Sequence, residues 1–501
     1  MHLLWVNRVL ITGICGIEVY MSELDLKGFT LSDIAEGSGI YFIGIGGISM
    51  YGLAQLAAGY GYRVGGSDSH PSERTARLSD IGIVIYNNQT KGNIDEFRPD
   101  YAVKTAAILP GNAEVARCLE LGIPVIDRSE FLGAITRSYD SVINISGTHG
   151  KTTTTSMTAL MLIEAGCAPT VHIGAELSFF DNNTVKLGEG HKLLVSEACE
   201  FKRSFLEFSS TTAAIMNIDH DHVDCYPTLE DVIDVFADFT DKVDDDGYIV
   251  VTGSDRNVSK ALDKASARRE AQGIAMPSVV TCSSDGTPAD FQALNIEFVE
   301  GLPNFDIEYK GEFLGRAHLL VPGRHNIDNA LIASACAYLN GADAYSIIKA
   351  LNEFDGADGR YTVKGKYRGC DVVVDYAHHP TAARATIEAA SNMPHNDILV
   401  VFQPLTFNRT KLLFEDYVTS LLPCRKILFG EIFSDRETDT LGISSKDIAD
   451  EINKRGGDAE FFADKMDIIP RIDELIKPGD IILILGPEDI RELGDILCSE
   501  E

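Results

Sequence analysis

Two rhythms share this chain: short unbroken apolar runs, and longer stretches in which apolar residues return every three or four positions. The runs Ile40-Tyr41-Phe42-Ile43, Val142-Ile143-Asn144-Ile145, Leu193-Leu194-Val195 and Ala213-Ala214-Ile215-Met216 predict buried strands, as do Val372-Val373-Val374, Ile398–Phe402, Lys426-Ile427-Leu428-Phe429 and Ile481–Leu485. Helical periodicity follows several of them, notably over 153–165 and 326–339. Strands alternating with helices imply parallel sheets, so the fold class is α/β. A length of 501 residues exceeds what one core supports. The blocks divide at 38–137, 138–355 and 356–501, behind an N-terminal extension at 1–37. The first and third are expected to be Rossmann-like and the central one a P-loop ATPase domain. Residues 244–312 show only short strand signals and turns and read as irregular.

Charge narrows the partners. A net charge of −32 opposes binding to nucleic acid or an anionic membrane. The apolar stretch at 9–19 is too short and interrupted for membrane insertion. Translation from Met21 is expected, with 1–20 an upstream extension. Ten cysteines lie scattered without a C-x-x-C pair, which suits reduced thiols and a cytoplasmic location. The expected oligomeric state is a monomer or weak dimer.

The sharpest chemical signal is Gly147-Thr148-His149-Gly150-Lys151-Thr152, followed by Thr153, between a strand and a helix. Small residues let backbone N–H groups approach an anion, the helix N-terminus adds its dipole, and Lys151 adds charge. Thr152 is placed for Mg²⁺, although Ile145 occupies the first glycine of the usual phosphate-loop pattern. An earlier glycine turn, Gly44-Ile45-Gly46-Gly47, precedes Ser49 and lies about twenty residues before Asp68, a nucleotide-binding opening. Glu197, His220 and His222 fall at or just after strand ends, where open parallel sheets gather their active groups.

Four motifs occur in order: the phosphate loop, Asn217-Ile218-Asp219-His220-Asp221-His222-Val223-Asp224, Gly323-Arg324-His325-Asn326-Ile327-Asp328-Asn329-Ala330, and Asp375-Tyr376-Ala377-His378-His379-Pro380-Thr381. Together they resemble the ATP-dependent Mur ligases of peptidoglycan synthesis, from about residue 40 to the C-terminus. The opening Gly44–Met50, the pair His378-His379 and the stretch 402–410 resemble the branch that adds L-alanine to UDP-N-acetylmuramate. The resemblance implies ATP and Mg²⁺ as cofactors, with UDP-N-acetylmuramate and L-alanine as partners. It places Lys151, Glu197, His222 and Arg360 in catalysis, and Thr152, Glu197 and His222 around magnesium. Gly147, Thr148, His149, Gly150, Lys151, Thr152, Thr153, His325, Asn329, Arg360 and Asp375 would bind ATP. Gly44, Gly46, Gly47, Ser49, Asp68, Thr105, His378 and His379 would bind substrate, with Ser67, Asn112 and Arg128 nearby. Structural alternatives stand beside these: His222 as a hydrogen-bonded structural histidine, and Asn326 as a helix cap.

The chain departs from that branch at Glu197-Ala198-Cys199-Glu200-Phe201-Lys202-Arg203, where the family usually carries Glu-Ala-Asp-Glu-Ser-Asp. Two bases thus replace acids. Between Asp224 and Thr240 there is no lysine, unlike relatives that add later residues and use a carbamylated one. A murein-recycling ligase attaching a tripeptide and a catalytically silent nucleotide sensor are the alternative functions.

Overall fold

The computed structural model describes residues 28–499 except 106, 110, 435, 436 and 438, together with the backbone of a hairpin, Val6–Thr12 paired with Glu18–Leu24. The start at Met21 and most of the expected extension lie outside the fully described residues. Phe29, Leu31 and Ile34 pack into the core beneath the first sheet.

That first sheet has five parallel strands in the order Val84–Tyr86, Arg63–Ser67, Gly39–Ile43, Tyr101–Lys104, Val125–Asp127. The central strand Gly39–Ile43 is buried throughout, as its unbroken apolar run requires. It delivers the chain into Gly44–Gly47 and then into the helix Ile48–Gly59.

The central sheet has ten strands. Its parallel core runs Thr170–Leu177, Leu193–Glu197, Ser141–Ser146, Ser210–Ile215, Val243–Thr252, Ser278–Ser283, Phe291–Val299. Antiparallel strands extend it at both ends: Asn183–Lys186 at one, Leu302–Tyr309 and Glu312–His318 at the other. Residues 244–312 are therefore regular, contrary to the sequence expectation. The strand Val243–Thr252 opens on three exposed aspartates, which hide its apolar half. The helix Arg256–Gln272 buries only Val258, Ala261, Ala265 and Arg269, too thin a stripe to register as periodicity. Its ends are nevertheless well marked, by Asp255 accepting from Asn257 and Val258 and by Gly273 in the left-handed region.

The third sheet has six strands in the order Thr362–Tyr367, Cys370–Asp375, Ile481–Leu485, Ile398–Phe402, Lys426–Gly430, Ala459–Phe462, with only the first pair antiparallel. Its carboxyl-terminal loops, carrying Asp375–Thr381 and Gln403–Arg409, meet Asp219 and Asp221 of the central domain, and His379 lies against His149 of the phosphate loop. Among the described residues, no helix is long and apolar enough to cross a membrane.

Candidate active site

The phosphate loop leaves the strand Ser141–Ser146 and enters the helix Lys151–Glu164, which starts two residues before the sequence periodicity suggested. Both flanking glycines are required. Gly147 has φ 143°, and a Cβ there would lie 2.9 Å from the Met216 side chain. Gly150 has φ 84°, and its Cβ would lie 2.5 Å from Asn329 Oδ1. Such a cradle admits an anion to backbone N–H groups where any side chain would block it.

Lys151 Nζ donates to the carbonyls of Gly147, at 2.5 Å, and Thr148, at 3.2 Å, and pairs with Glu200 at 3.0 Å. Burial disfavours its ammonium, but Glu200, Cys199 and Glu197 outweigh that and raise its pKa above the usual lysine value. The charge is thus fixed in place. Thr152 Oγ1 donates to Glu197 Oε2 at 3.0 Å, and the same oxygen accepts from the Gly174 N–H at 3.0 Å. These two oxygen side chains, abutting the phosphate cradle, form the kind of hard donor set that Mg²⁺ prefers. His222 falls in a second group, with Nε2 3.6 Å from Glu200 Oε1 and Cys199 nearby. Burial works against protonation of its ring, yet Asp221, Cys199 and Glu200 raise it to about 8. The two groups meet through Lys151.

The C-terminal domain completes the site. Arg360 Nη2 donates to Thr152 Oγ1 at 3.2 Å and its guanidinium lies over the Tyr376 ring. Asp375 Oδ2 accepts from the Tyr361 N–H and from Thr386 Oγ1, both at 3.1 Å, so it braces the arginine turn. Thr381 Oγ1 donates to Asp219 Oδ2 at 2.7 Å, and His149 Nε2 lies 3.2 Å from the same oxygen. His379 stacks near His149, with ring centroids 4.8 Å apart. His378 is instead tied to its own domain, its Nδ1 against the Tyr376 carbonyl and its carbonyl accepting from Tyr417.

Asn329 and His325 lie on the helix His325–Leu339 beside the cradle. Asn329 Nδ2 donates to Asn326 Oδ1 at 2.8 Å, which leaves its own Oδ1 facing Gly150. Asn326 does not cap the helix: Arg324 holds the cap position, and Asn326 donates back to the Pro322 carbonyl at 2.7 Å. The N–H of Asn326 already finds a partner in the Gly323 carbonyl, which removes the need for a side-chain cap.

The first domain contributes its own glycine turn. The Gly46 N–H donates to Asp68 Oδ2 at 2.9 Å, a Cβ on Gly44 would touch Thr105, and Gly47 starts the helix Ile48–Gly59. Ser49 then links domains: Arg128 Nη1 donates to its Oγ at 3.1 Å, and His172 Nε2 of the central domain lies 3.2 Å away.

Several groups here escaped the sequence reading. Glu200 is the buried counter-ion of Lys151, Asp219 organises His149 and Thr381, and Asp221 holds Arg409. All lie inside motifs visible in the sequence, but a carboxylate's partner is a tertiary fact. His172 had no signal at all, since it sits mid-strand in Thr170–Leu177.

Comparison with known proteins identifies the family. The Mur ligase family catalytic domain model matches residues 39–140, the Mur ligase middle domain 145–337, and the Mur ligase glutamate ligase domain 359–487. The UDP-N-acetylmuramate–L-alanine ligase of Caldanaerobacter subterraneus subsp. tengcongensis is 38% identical over 482 residues, covering 95% of this chain and 99% of the relative. The enzyme of the same name from Acetivibrio thermocellus is 36% identical, covering 92% of this chain and 96% of the relative. The crystal structure of UDP-N-acetylmuramate–alanine ligase from Thermotoga maritima superposes with a TM-score of 0.75 at 26% identity, over 92% of this chain and 99% of that one. With three domains in family order and a full-length relative at 38% identity, the chain belongs to the Mur ligase family.

Proposed function

We propose that this chain is an ATP-dependent ligase that joins L-alanine to the carboxyl group of UDP-N-acetylmuramate in the cytoplasm, with Mg²⁺. One observation carries the activity class: Arg360 from the third domain reaches Thr152, beside Glu197 and the fixed ammonium of Lys151. The substrates rest on the full-length relatives, each named for that reaction.

The chemistry follows from what each side chain can do. An ionised carboxylate is no electrophile, so the acid attacks the γ-phosphorus of ATP, releasing ADP and giving an acyl phosphate. The amine of alanine then adds to the acyl carbon, the tetrahedral adduct loses phosphate, and the amine proton passes to solvent. Phosphoryl transfer of this kind depends on positioning and charge neutralisation. Lys151 and Arg360 supply cations at the cradle from two domains, so the site is complete only when the domains meet. Thr152 and Glu197 would hold Mg²⁺, which supplies further charge neutralisation along the phosphates. His149, Gly147, Thr148, Gly150 and Thr153 line the phosphate loop, while His325 and Asn329 flank it where the base would lie. Gly44, Gly46, Gly47, Ser49, Asp68 and Thr105 form the sugar-nucleotide wall. His379, buried against Asp219, would contact the sugar substrate or the amino acid.

The test is a phosphate-release assay on the purified chain with ATP, Mg²⁺, UDP-N-acetylmuramate and each amino acid in turn, plus the tripeptide L-Ala-γ-D-Glu-diaminopimelate. Release that requires the sugar nucleotide and is fastest with alanine is expected. If the tripeptide is preferred, the recycling function holds instead. Turnover indifferent to the amino acid refutes the specificity.

A further inference from the structure

The last helix, Glu488–Ser499, carries an arginine that the proposed reaction leaves without a task. Topology brings it to the edge of the site. The strand Ile481–Leu485 runs parallel to Cys370–Asp375, with Leu485 opposite Asp375, so the chain leaves both strands at one end of the sheet. Tyr376 follows one strand and Arg491 the other. The Gly486 N–H donates to the Asp375 carbonyl at 3.0 Å, and the Tyr376 N–H to the Gly359 carbonyl at 2.9 Å. Arg491 Cζ lies 5.3 Å from the Tyr376 ring centroid, and Arg360 Cζ lies 5.1 Å from the same point. Gly359, with φ 69°, leaves room for this arrangement: a Cβ there would fall on Arg491 Nη1.

In a chain with 75 acids and 43 bases, an arginine has carboxylates to spare, yet among the described residues neither of these two is in an ion pair. Arg360 donates only to the Gly359 carbonyl and to Thr152 Oγ1, both neutral. Arg491 is half-buried, and its Nε is fully buried with no hydrogen-bond partner. The acids around it are engaged elsewhere. Asp489 and Glu492 pair with Lys465, Asp495 pairs with Lys364, and Asp375 Oδ2 accepts from Tyr361 and Thr386. A guanidinium taken part-way out of water without a partner is unfavourable, and two cations against one ring repel each other. An anion entering beside them relieves both penalties.

We infer that Arg491 is a second anion-binding arginine of the nucleotide site, engaging the triphosphate beside Arg360, an assignment that rests on the ATP reading of the proposed function. Arg360 Nη2 reaches Thr152 Oγ1 at 3.2 Å, at the start of the helix that opens from the phosphate cradle, so the arginine pair stands at that cradle. The cradle's own cation, Lys151, is already paired with Glu200 at 3.0 Å. A triphosphate therefore brings more negative charge than Lys151 and Arg360 can match. The planar fork of a guanidinium suits phosphate oxygens, and its charge is present at every working pH.

Isothermal titration of the full chain with Mg²⁺ compares the non-hydrolysable β,γ-imido analogue of ATP with ADP and AMP. Arg491→Gln is expected to weaken the triphosphate roughly ten- to a hundredfold, ADP less and AMP hardly at all, while Arg491→Lys recovers part of the loss. Should circular dichroism show Arg491→Gln unfolded, Arg491→Met replaces it with the same loss expected. Were Arg491 only a support for Arg360, its removal from an Arg360→Gln chain would change nothing. A further weakening in that double variant is expected, and its absence overturns direct binding. Unchanged triphosphate affinity in Arg491→Gln overturns the assignment, as does a rise in KM confined to the sugar nucleotide, which would give the guanidinium to the carboxylate of the acid instead. A parent chain that binds none of the three nucleotides overturns the ATP reading itself.

Discussion

Asp221 offers a clean test of how the catalytic domains are held together. Its Oδ1 accepts from Arg409 Nε at 2.7 Å and from Nη2 at 2.5 Å, with side chains 10% and 3% exposed. Arg409 drives the Asp221 carboxyl well below the usual aspartate range, against the penalty of burial. Removing one member of a buried ion pair costs about 3–5 kcal/mol, because the survivor is left charged and dry. Here the two partners belong to different domains, so Asp221→Ala has an escape: the C-terminal domain swings away and Arg409 is hydrated. The penalty should therefore appear in the closed–open equilibrium, shifting it by roughly two to four powers of ten. Small-angle scattering of the nucleotide-free variant is expected to give a larger radius of gyration than the parent. Turnover should fall steeply while ATP affinity at the Lys151 cradle changes little. Were the penalty taken by global unfolding instead, Tm would drop by roughly 6–20 °C. A variant as compact as the parent, carrying that full Tm loss or retaining its turnover, would falsify the latch.

Three other outcomes follow from the same geometry. Lys151→Ala is expected to slow ligation at least a hundredfold, about 3 kcal/mol or more in barrier, and a variant with near-normal rate would remove Lys151 from the phosphate site. Gly150→Ala places a Cβ 2.5 Å from Asn329 Oδ1 and 2.8 Å from Met216 Cε at φ 84°, so isothermal titration should show ATP affinity lost; an unchanged affinity would remove this turn from the ATP site. His172, buried, is held down to about 4 by burial, aided by Arg128, against an ordinary 6.5. Between those values the unfolded chain binds the extra proton, so the His172 contribution is complete above pH 6.5 and disappears as pH falls through 4. At pH 5 the loss is roughly 2 kcal/mol, and urea unfolding of His172→Gln at pH 7 and 5 should show a correspondingly shallower pH dependence. An unchanged slope would mean that His172 is not the group responsible.

Local chemistry explains which parts were legible from the chain alone. The strands Gly39–Ile43 and Ile481–Leu485 are buried on both faces, so their apolar runs are continuous and could not be mistaken. Gly147 and Gly150 were readable because a positive φ and a close approach admit no other residue, and Lys151 because a helix N-terminus beside glycines has few other uses for a cation. The helix Arg256–Gln272 was lost because it buries only four side chains, one of them an arginine.

Pairing is what the order of residues could not carry. Glu200 lies three residues beyond Glu197, yet one neutralises Lys151 while the other accepts from Thr152, a division made by the turn between them. Arg360 meets Thr152, Thr381 meets Asp219 and Arg409 meets Asp221 only where the third domain is presented to the second. Periodicity and backbone constraint are local, so the sequence by itself determined the three α/β blocks and the phosphate loop. The partner of each buried charge is set by which surfaces exclude water together, and only the tertiary structure decided that.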